Sequence, residues 1–200
     1  MQNEELIRLQ VGLEYRVEGD GLIPFPGSTE QARFILYRHP GDFMRYYRID
    51  VPLQMRLELE RIDGEQVFHD PKLVRTILNA YSLCTSSGLY ESCYFTQVPQ
   101  ADKYLQVAQE DRKYVIKIDG QPVCWAWSER SNEQCAEVAV ETLPAYQRRG
   151  FARQAVSALA AAEMKRGRVV FYSYEMENLA SRELAHSLGV AHFASCAAFD

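Results

Sequence analysis

Hydrophobic and polar positions are patterned most clearly between residues 136 and 174. Ala136–Glu141 has the pattern of a strand, and Gly150–Arg166 carries apolar residues at helical spacing on one face. Val169–Tyr172 is a continuous apolar run, which is typical of a strand buried on both faces. The succession of strand, helix and strand predicts a βαβ unit with a right-handed crossover and two parallel strands.

The stretch before this unit predicts an antiparallel meander. Lys113–Ile118 and Pro122–Ser128 have strand patterns and are joined by Asp119-Gly120, a strong hairpin signal. Ser92–Thr96 predicts a further strand, and Pro99–Val107 predicts a helix. A meander that leads into a βαβ unit predicts an α/β fold with a mixed sheet and helices on both faces.

Residues 1–88 predict an additional small α/β subdomain, whose role the sequence does not indicate. Asp70 and Pro71 begin a helix as its N-cap and its first residue. Glu4–Tyr15 fits a helix or a strand. The other patterns predict a strand at Phe43–Ile49, a helix at Pro52–Ile62 and a turn at Asp63-Gly64.

Composition is that of a globular chain: 200 residues, 47% hydrophobic and 24% charged, with a net charge of −5. The sequence has no stripe of basic residues that would indicate binding to nucleic acid, and no apolar run approaches the length of a membrane span. The five cysteines are widely spaced and form no C-x-x-C pair, so we expect no disulfide framework and no metal site. The N-terminus lacks the pattern of a signal peptide, and a cytoplasmic location is the default expectation.

The loop that enters the predicted helix has the features of an anion site. Backbone N–H groups at a helix start have no partner within the helix, and Gly150 lets a ligand approach the backbone. Arg148, Arg149 and Arg153 add positive charge nearby. The alternative is an ordinary loop glycine beside solvated arginines.

Two motifs at compatible spacing favour the ligand site. The first is Val138-Ala-Val140 followed by Gln147-Arg-Arg-Gly150-Phe-Ala152, and the second is Asn178-Leu-Ala-Ser181 followed by Leu184 and Leu188-Gly189. Residues 91–199 thereby resemble the GNAT superfamily of acyl-CoA-dependent N-acyltransferases. The resemblance divides the chain into the subdomain 1–88 and a GNAT-like domain at 89–200.

The resemblance implies transfer of an acetyl or other acyl group from acetyl-CoA to an amine that attacks the thioester directly. Two strands diverge in this family, and the pantetheine arm of CoA pairs with strand backbone in the gap. The motif loop holds the pyrophosphate. The candidate cofactor-binding residues are Val138, Ala139, Val140, Gln147, Arg148, Arg149, Gly150, Phe151, Ala152, Arg153, Asn178 and Ser181.

The resemblance also suggests the proton carriers. Glu137 matches a strand carboxylate that acts as general base in many relatives, with Glu141 as the second choice. Many relatives carry a tyrosine as general acid seven residues after the motif asparagine, where this chain has Ala185. Tyr172 and Tyr174 are candidates to replace it, and water is another proton source.

The sequence is compatible with more than one function. A non-catalytic acyl-CoA-binding or regulatory module is the main alternative to an enzyme, because Ala185 stands at the usual tyrosine position. A dinucleotide-binding protein is weaker, since the loop lacks the first glycine of G-x-G-x-x-G. Trp125 and Trp127 share one strand face and either floor an acceptor pocket or pack. The acceptor amine is not identified, and residues 1–88 wall the site, act as a lid or build a homodimer.

Overall fold

The computed structural model describes residues 1–28, 32–100 and 106–200. Its contacts divide the chain into two compact units, the first formed by Met1–Glu91 with Phe193–Asp200 and the second by Ser92–His192. The end of the chain is therefore part of the first unit. No described helix combines the length and hydropathy needed to cross a bilayer.

The helices are α1 (Asn3–Val11), α2 (Leu53–Glu60), α3 (Gly64–His69), α4 (Pro71–Asn79), α5 (Phe151–Lys165) and α6 (Leu179–Leu188). The strands are β1 (Tyr15–Glu18), β2 (Gly21–Pro24), β3 (Phe34–His39), β4 (Asp42–Arg48), β5 (Ser87–Tyr94), β6 (Ala108–Glu110), β7 (Lys113–Ile118), β8 (Gln121–Ser131), β9 (Cys135–Thr142), β10 (Val169–Glu175) and β11 (Ala191–Phe199).

The first unit contains strands in the order β1-β2-β4-β3-β11. Strand β3 pairs antiparallel with both β4 and β11, and β2 pairs parallel with β4. Helices α2, α3 and α4 bury apolar side chains against Phe34, Leu36 and Phe199. Helix α1 lies on the other face, where Arg8 and Tyr46 border the same cavity. This unit thus carries helices on both faces of its strands.

The Asp-Gly pair at 63–64 does not form the predicted turn. Asp63 is the N-cap of α3, and its side chain accepts a hydrogen bond from the Glu65 amide at 2.8 Å. The predicted start of α4 is confirmed, because Asp70 accepts from the Lys72 amide at 3.2 Å and Pro71 is the first helical residue. The undecided stretch at the beginning of the chain forms α1 and then β1.

The second unit contains strands in the order β10-β9-β8-β7-β6. The predicted hairpin is confirmed: Asp119 and Gly120 have φ of 51° and 76°, and Ile118 pairs with Gln121. Two consecutive residues of positive φ make a type I′ turn, whose twist matches that of the flanking strands. The helix predicted at Pro99–Val107 falls largely on residues 101–105, which lie outside the described part of the chain.

The predicted βαβ unit is also confirmed, since β9 and β10 pair in parallel and α5 connects them. Helices α5 and α6 bury their apolar sides in one cluster with the strands, which includes Val138, Val156, Tyr172 and Ala185. Both described helices of this unit therefore lie on the same side of its strands.

Candidate active site

A cleft of about 600 Å³ lies in the second unit, bordered by the outer end of β9, the start of α5 and helix α6. Most of the predicted cofactor-binding residues line it, namely Val140, Gln147, Arg148, Gly150, Phe151, Ala152, Arg153, Asn178 and Ser181. Val138, Ala139 and Arg149 are not among its lining residues. The motif loop and the start of α6 thus meet at one cleft.

The start of α5 leaves its first amides available. Gly150 is the N-cap in a left-handed conformation, with φ 80° and ψ 0°, and no side chain caps this end. The first bond of the helix runs from the Gln154 amide to the Gly150 carbonyl, so the amides of residues 151–153 precede the helical pattern. Unpartnered amides and the helix dipole together attract an anion.

Two residues of this loop have positive φ, and one of them is Gly150, which adopts this conformation without strain. Arg148 also has positive φ, at 58°, which is unusual for a residue with a side chain. A Cβ at Gly150 meets nothing within 4 Å, so glycine is needed there for its conformation rather than for protein packing. Strain of this kind is common at ligand sites, where the surrounding structure maintains it.

The three arginines of the loop have different surroundings. Arg148 and Arg153 line the cleft, and among the described residues neither has an ion-pair partner. Arg149 instead lies over the Tyr146 ring, with 5.2 Å between its guanidinium carbon and the ring centroid. Glu141 and Glu183 also border the cleft, so its charge is mixed. Positive charge is concentrated at the start of α5.

Strands β9 and β10 part beside this cleft. Their parallel register runs from Cys135 opposite Val169 to Glu137 opposite Phe171 and ends there. Both strands continue, as Val138–Thr142 and Tyr172–Glu175, without further pairing between the described residues. A gap with unpaired strand backbone on each side accepts an extended ligand in the way a sheet accepts an added strand.

The register assigns the side chains along this gap to two faces. Residues opposite each other in a sheet share a face, and neighbours in sequence alternate. The face that carries the helices, which we call the helix face, includes Val138, Val140, Tyr172 and Tyr174. The other, which we call the tryptophan face, consists around the gap of Trp125, Trp127, Ala139, Glu141, Ser173 and Glu175.

Glu137 lies on the tryptophan face at the last paired position of β9. It is 8% exposed, and its Oε2 accepts a hydrogen bond from Nη1 of Arg130 at 3.0 Å. Arg130 is opposite Glu137 because the register between β8 and β9 shifts after Ser128. The predicted base is therefore a buried carboxylate in an ion pair, at the point where the gap opens.

The two candidate acids lie on the helix face, opposite to Glu137. Tyr172 is 3% exposed, and burial raises the pKa of its phenol despite a hydrogen bond with the Ser181 side chain. The ring centroids of Tyr172 and Tyr174 are 6.3 Å apart. The structure brings the tyrosines together with the start of α6 but puts the carboxylate on the other side of the strands.

Helix α6 completes the cleft with a capped start. Asn178 is its N-cap, and Oδ1 accepts from the Ser181 amide at 3.0 Å. Ala185 is 2% exposed in the apolar cluster.

The Cys135 thiol at the start of β9 is not suited to act as a nucleophile. Burial raises the pKa of this thiol to about 11, so it stays protonated at neutral pH.

Sequence reasoning did not identify the apolar and small residues that shape the cleft. Tyr146 stands beside Phe151, with ring centroids 6.5 Å apart, and Ser187 continues the cleft along α6 beyond Leu184, which the second motif already contains. The spacing of Ala180, Leu184 and Ser187 on one helix side was the available signal. Tyr146 lies in a short 3₁₀ turn, which has no comparable periodicity.

These features fit CoA. Bare amides with Arg148 and Arg153 suit a diphosphate, and the gap between β9 and β10 has the exposed backbone that a pantetheine arm pairs with. Among the described residues no group of three or more His, Cys, Asp or Glu side chains is arranged to hold a metal ion.

Comparison with solved structures shows the same fold in GNAT proteins. A protein of Novosphingobium aromaticivorans, described as an acetyltransferase of the GNAT family, matches with TM-score 0.50 and 21% identity, over 58% of this chain and 65% of its own. A GCN5-related N-acetyltransferase of Sphaerobacter thermophilus matches with TM-score 0.50 and 9% identity, over 78% and 71%. This chain thus spans less than two thirds of the length of the first of these.

Comparison with curated protein sequences gives no significant match. The family model for GNAT acetyltransferases matches residues 58–194, which is more than half of the chain and begins in α2. The chain belongs to the GNAT acetyltransferase family.

Proposed function

We propose that the protein is an N-acyltransferase that moves an acetyl group from acetyl-CoA to an amine. The observation that carries the proposal is the uncapped start of α5, which opens into the cleft where β9 and β10 part. The diphosphate binds the amides of residues 151–153 together with Arg148, and the pantetheine arm extends along β9. Val138, Ala139 and Val140 supply backbone contacts there.

The reaction is direct attack of a neutral amine on the thioester carbonyl, followed by departure of the CoA thiolate. An alkylamine with a pKa of about 10.4 is almost fully protonated at neutral pH, so a proton acceptor is required. Glu137 takes this proton, directly or through water, from the tryptophan face. The Val140 amide donates to the carbonyl oxygen as negative charge develops on it, an interaction worth about 3 kcal/mol in comparable sites.

The thiolate receives a proton on the helix face. Tyr172 is the better candidate of the two tyrosines, because it is the first residue of β10 after the last paired position. Its hydrogen bond with Ser181 holds the ring beside the start of α6. The two proton transfers then occur on opposite sides of the gap, so the amine and the departing thiol do not compete for space.

The alternative is a module that binds acyl-CoA without turning it over. Ala185 favours it, since the usual acid of relatives is replaced by a small buried side chain. The two functions differ in a single measurable step, which is release of the CoA thiol in the presence of an amine.

The test combines calorimetry with CoA and a thiol-release assay with acetyl-CoA and a panel of amines. We expect one CoA per chain and amine-dependent thiol release. Glu137→Gln should reduce the rate by roughly 10²–10⁴-fold while CoA affinity is retained. Glu133→Gln is the matched control, because Glu133 is an exposed residue between β8 and β9.

Each result has a distinct meaning. Binding of CoA with no thiol release on any amine favours the non-catalytic module. No binding of CoA at all refutes both functions. Full activity of Glu137→Gln refutes only the role of this carboxylate.

A further inference from the structure

The tryptophan face is open where an acceptor must approach the gap. Cys135 and Phe171 are completely buried on this face at the paired end of β9 and β10. Past that end, Glu141 and Glu175 are exposed, and Ala139 and Ser173 are half-buried. The accessible part of the face therefore begins where strand pairing stops.

Small side chains border the gap on this face. Ala139 on β9 and Ser173 on β10 are the first residues of the face after the last paired position. Both side chains are small, and both are half-buried. An amine that enters from this face meets Glu137 at the inner end of the gap, next to the proposed thioester position.

Two acidic residues follow at the outer end. Glu141 on β9 and Glu175 on β10 are one step further along each strand, on either side of the gap. Among the described residues neither carboxylate has a side-chain hydrogen bond or an ion pair. The two other acids of this region are engaged, Glu137 with Arg130 and Glu129 with the Trp127 indole N–H.

Aromatic surface stands beside the acids. Trp125 is directly opposite Glu141 in the antiparallel pair of β8 and β9, so ring and carboxylate are cross-strand neighbours. Trp127 already has the ammonium of Lys113 over its ring at 5.2 Å. Trp125 is half-buried, and a ring next to a carboxylate attracts an ammonium group by cation–π and charge interactions.

We propose that the acceptor carries a second cationic group, as alkyl diamines and polyamines do. One amine reaches the gap at Ala139 and Ser173, and the second ammonium binds between Glu141, Glu175 and the Trp125 ring. These three residues determine specificity and do not touch the reacting atoms. The inference rests on the proposed function, because it assigns the acceptor of the same site.

The experiment compares two amines of equal chain length, 1,4-diaminobutane and 1-aminobutane. Trp125 and Trp127 are the only tryptophans of the chain, so intrinsic fluorescence reports directly on this face. Titrations are performed on the full chain with saturating CoA, and a Trp127→Phe background makes Trp125 the single reporter. This readout does not require turnover.

We expect the diamine to bind at least about ten-fold tighter than the monoamine, since two carboxylates and one ring act together. Glu141→Gln and Glu175→Gln should each reduce the preference about two- to five-fold, and Glu175→Gln should leave monoamine affinity unchanged. Glu133→Gln removes the same charge elsewhere and should leave the preference intact. The preference should fall as salt is raised.

Equal affinity for the two amines, or a preference that neither glutamate substitution lowers, overturns the inference. Thiol release measured in parallel separates this from the proposed function. If both amines bind equally and are acetylated, the proposed N-acyltransferase function is supported and the proposed acceptor class is wrong. If the diamine binds preferentially and no acetyl group is transferred, the binding site for the second ammonium group is supported and the transferase proposal fails.

Discussion

Helices α5 and α6 begin beside the same cleft in opposite ways. Helix α6 has an asparagine N-cap, whose side chain accepts from the Ser181 amide at 3.0 Å. Helix α5 starts at Gly150, which has left-handed backbone and no side chain to offer its amides. A side-chain cap supplies a hydrogen-bond acceptor to a backbone N–H group at the start of a helix. Where such a cap is missing and arginines are nearby, a bound anion can accept these hydrogen bonds and stabilise the helix start.

The difference indicates which helix receives the negative charge of a ligand. Asn178 stabilises α6 through its own side chain, and this cap does not depend on a ligand. Gly150 contributes nothing to the stability of α5 except its tolerance of positive φ. The sharpest experiments therefore change one helix start toward the character of the other.

The largest effect is expected when Gly150 is replaced by an acid. Asn and Asp tolerate positive φ better than other side chains, and the space beside Gly150 is open, so both variants should fold. Gly150→Asp should bind CoA about ten-fold more weakly than Gly150→Asn, because its negative charge repels the diphosphate. Calorimetry with CoA measures the difference, and equal affinities would place the diphosphate elsewhere.

Removal of one loop arginine should have a smaller effect. Arg148→Ala is expected to weaken CoA binding about two- to five-fold, since Arg148 lines the cleft without a protein partner among the described residues. Arg149→Ala is the matched control, because this guanidinium lies over Tyr146 instead. A larger loss with Arg149→Ala than with Arg148→Ala contradicts the assignment.

Loss of the N-cap of α6 should lower the free energy of unfolding. Asn178→Ala leaves the Ser181 amide without its acceptor and should cost about 1 kcal/mol in the free energy of unfolding. For a chain of this size that lowers Tm by about 2–4 °C. Asn178→Asp keeps the cap and should retain Tm. Thermal unfolding without CoA checks both, and an unchanged Tm for Asn178→Ala shows that the cap is dispensable.

The smallest effect concerns alkaline pH. Burial raises the pKa of Tyr172, so the folded state retains this proton longer than the unfolded state does. The stabilisation is complete below the ordinary tyrosine pKa of about 10 and is lost as pH rises through the raised value. Chemical unfolding of Tyr172→Phe should therefore lose less stability between pH 9 and 11 than the unsubstituted protein. Parallel pH profiles contradict this.

Local signals in the sequence were sufficient for much of the fold. Asp119-Gly120 and Asp70-Pro71 specify a hairpin and a helix start within two residues, and both predictions are confirmed. The Asp-Gly pair at 63–64 failed because the same two residues serve a turn or a helix cap equally well. Only the packing of α3 against its neighbours decides between these outcomes.

The candidate site also has a part that the sequence predicts locally and a part that depends on strand pairing. The loop at Gly150 was predictable, because its glycine, arginines and following helix are adjacent in sequence. The surroundings of Glu137 were not, since Arg130 reaches it only through a register shift after Ser128. The opposite faces of Glu137 and Tyr172 likewise depend on how β9 and β10 pair, which no single segment encodes.

The discontinuous first unit has a consequence for the order of folding. Strand β11 pairs with β3 through Phe34 opposite Phe199, and the Arg33 side chain donates to the Asp200 carbonyl at 2.6 Å. A nascent chain leaving the ribosome lacks this strand until residues 92–192 have been made. We expect the second unit to be protease-resistant first, and ribosome-bound chains stalled before β11 to be cleaved within residues 1–91.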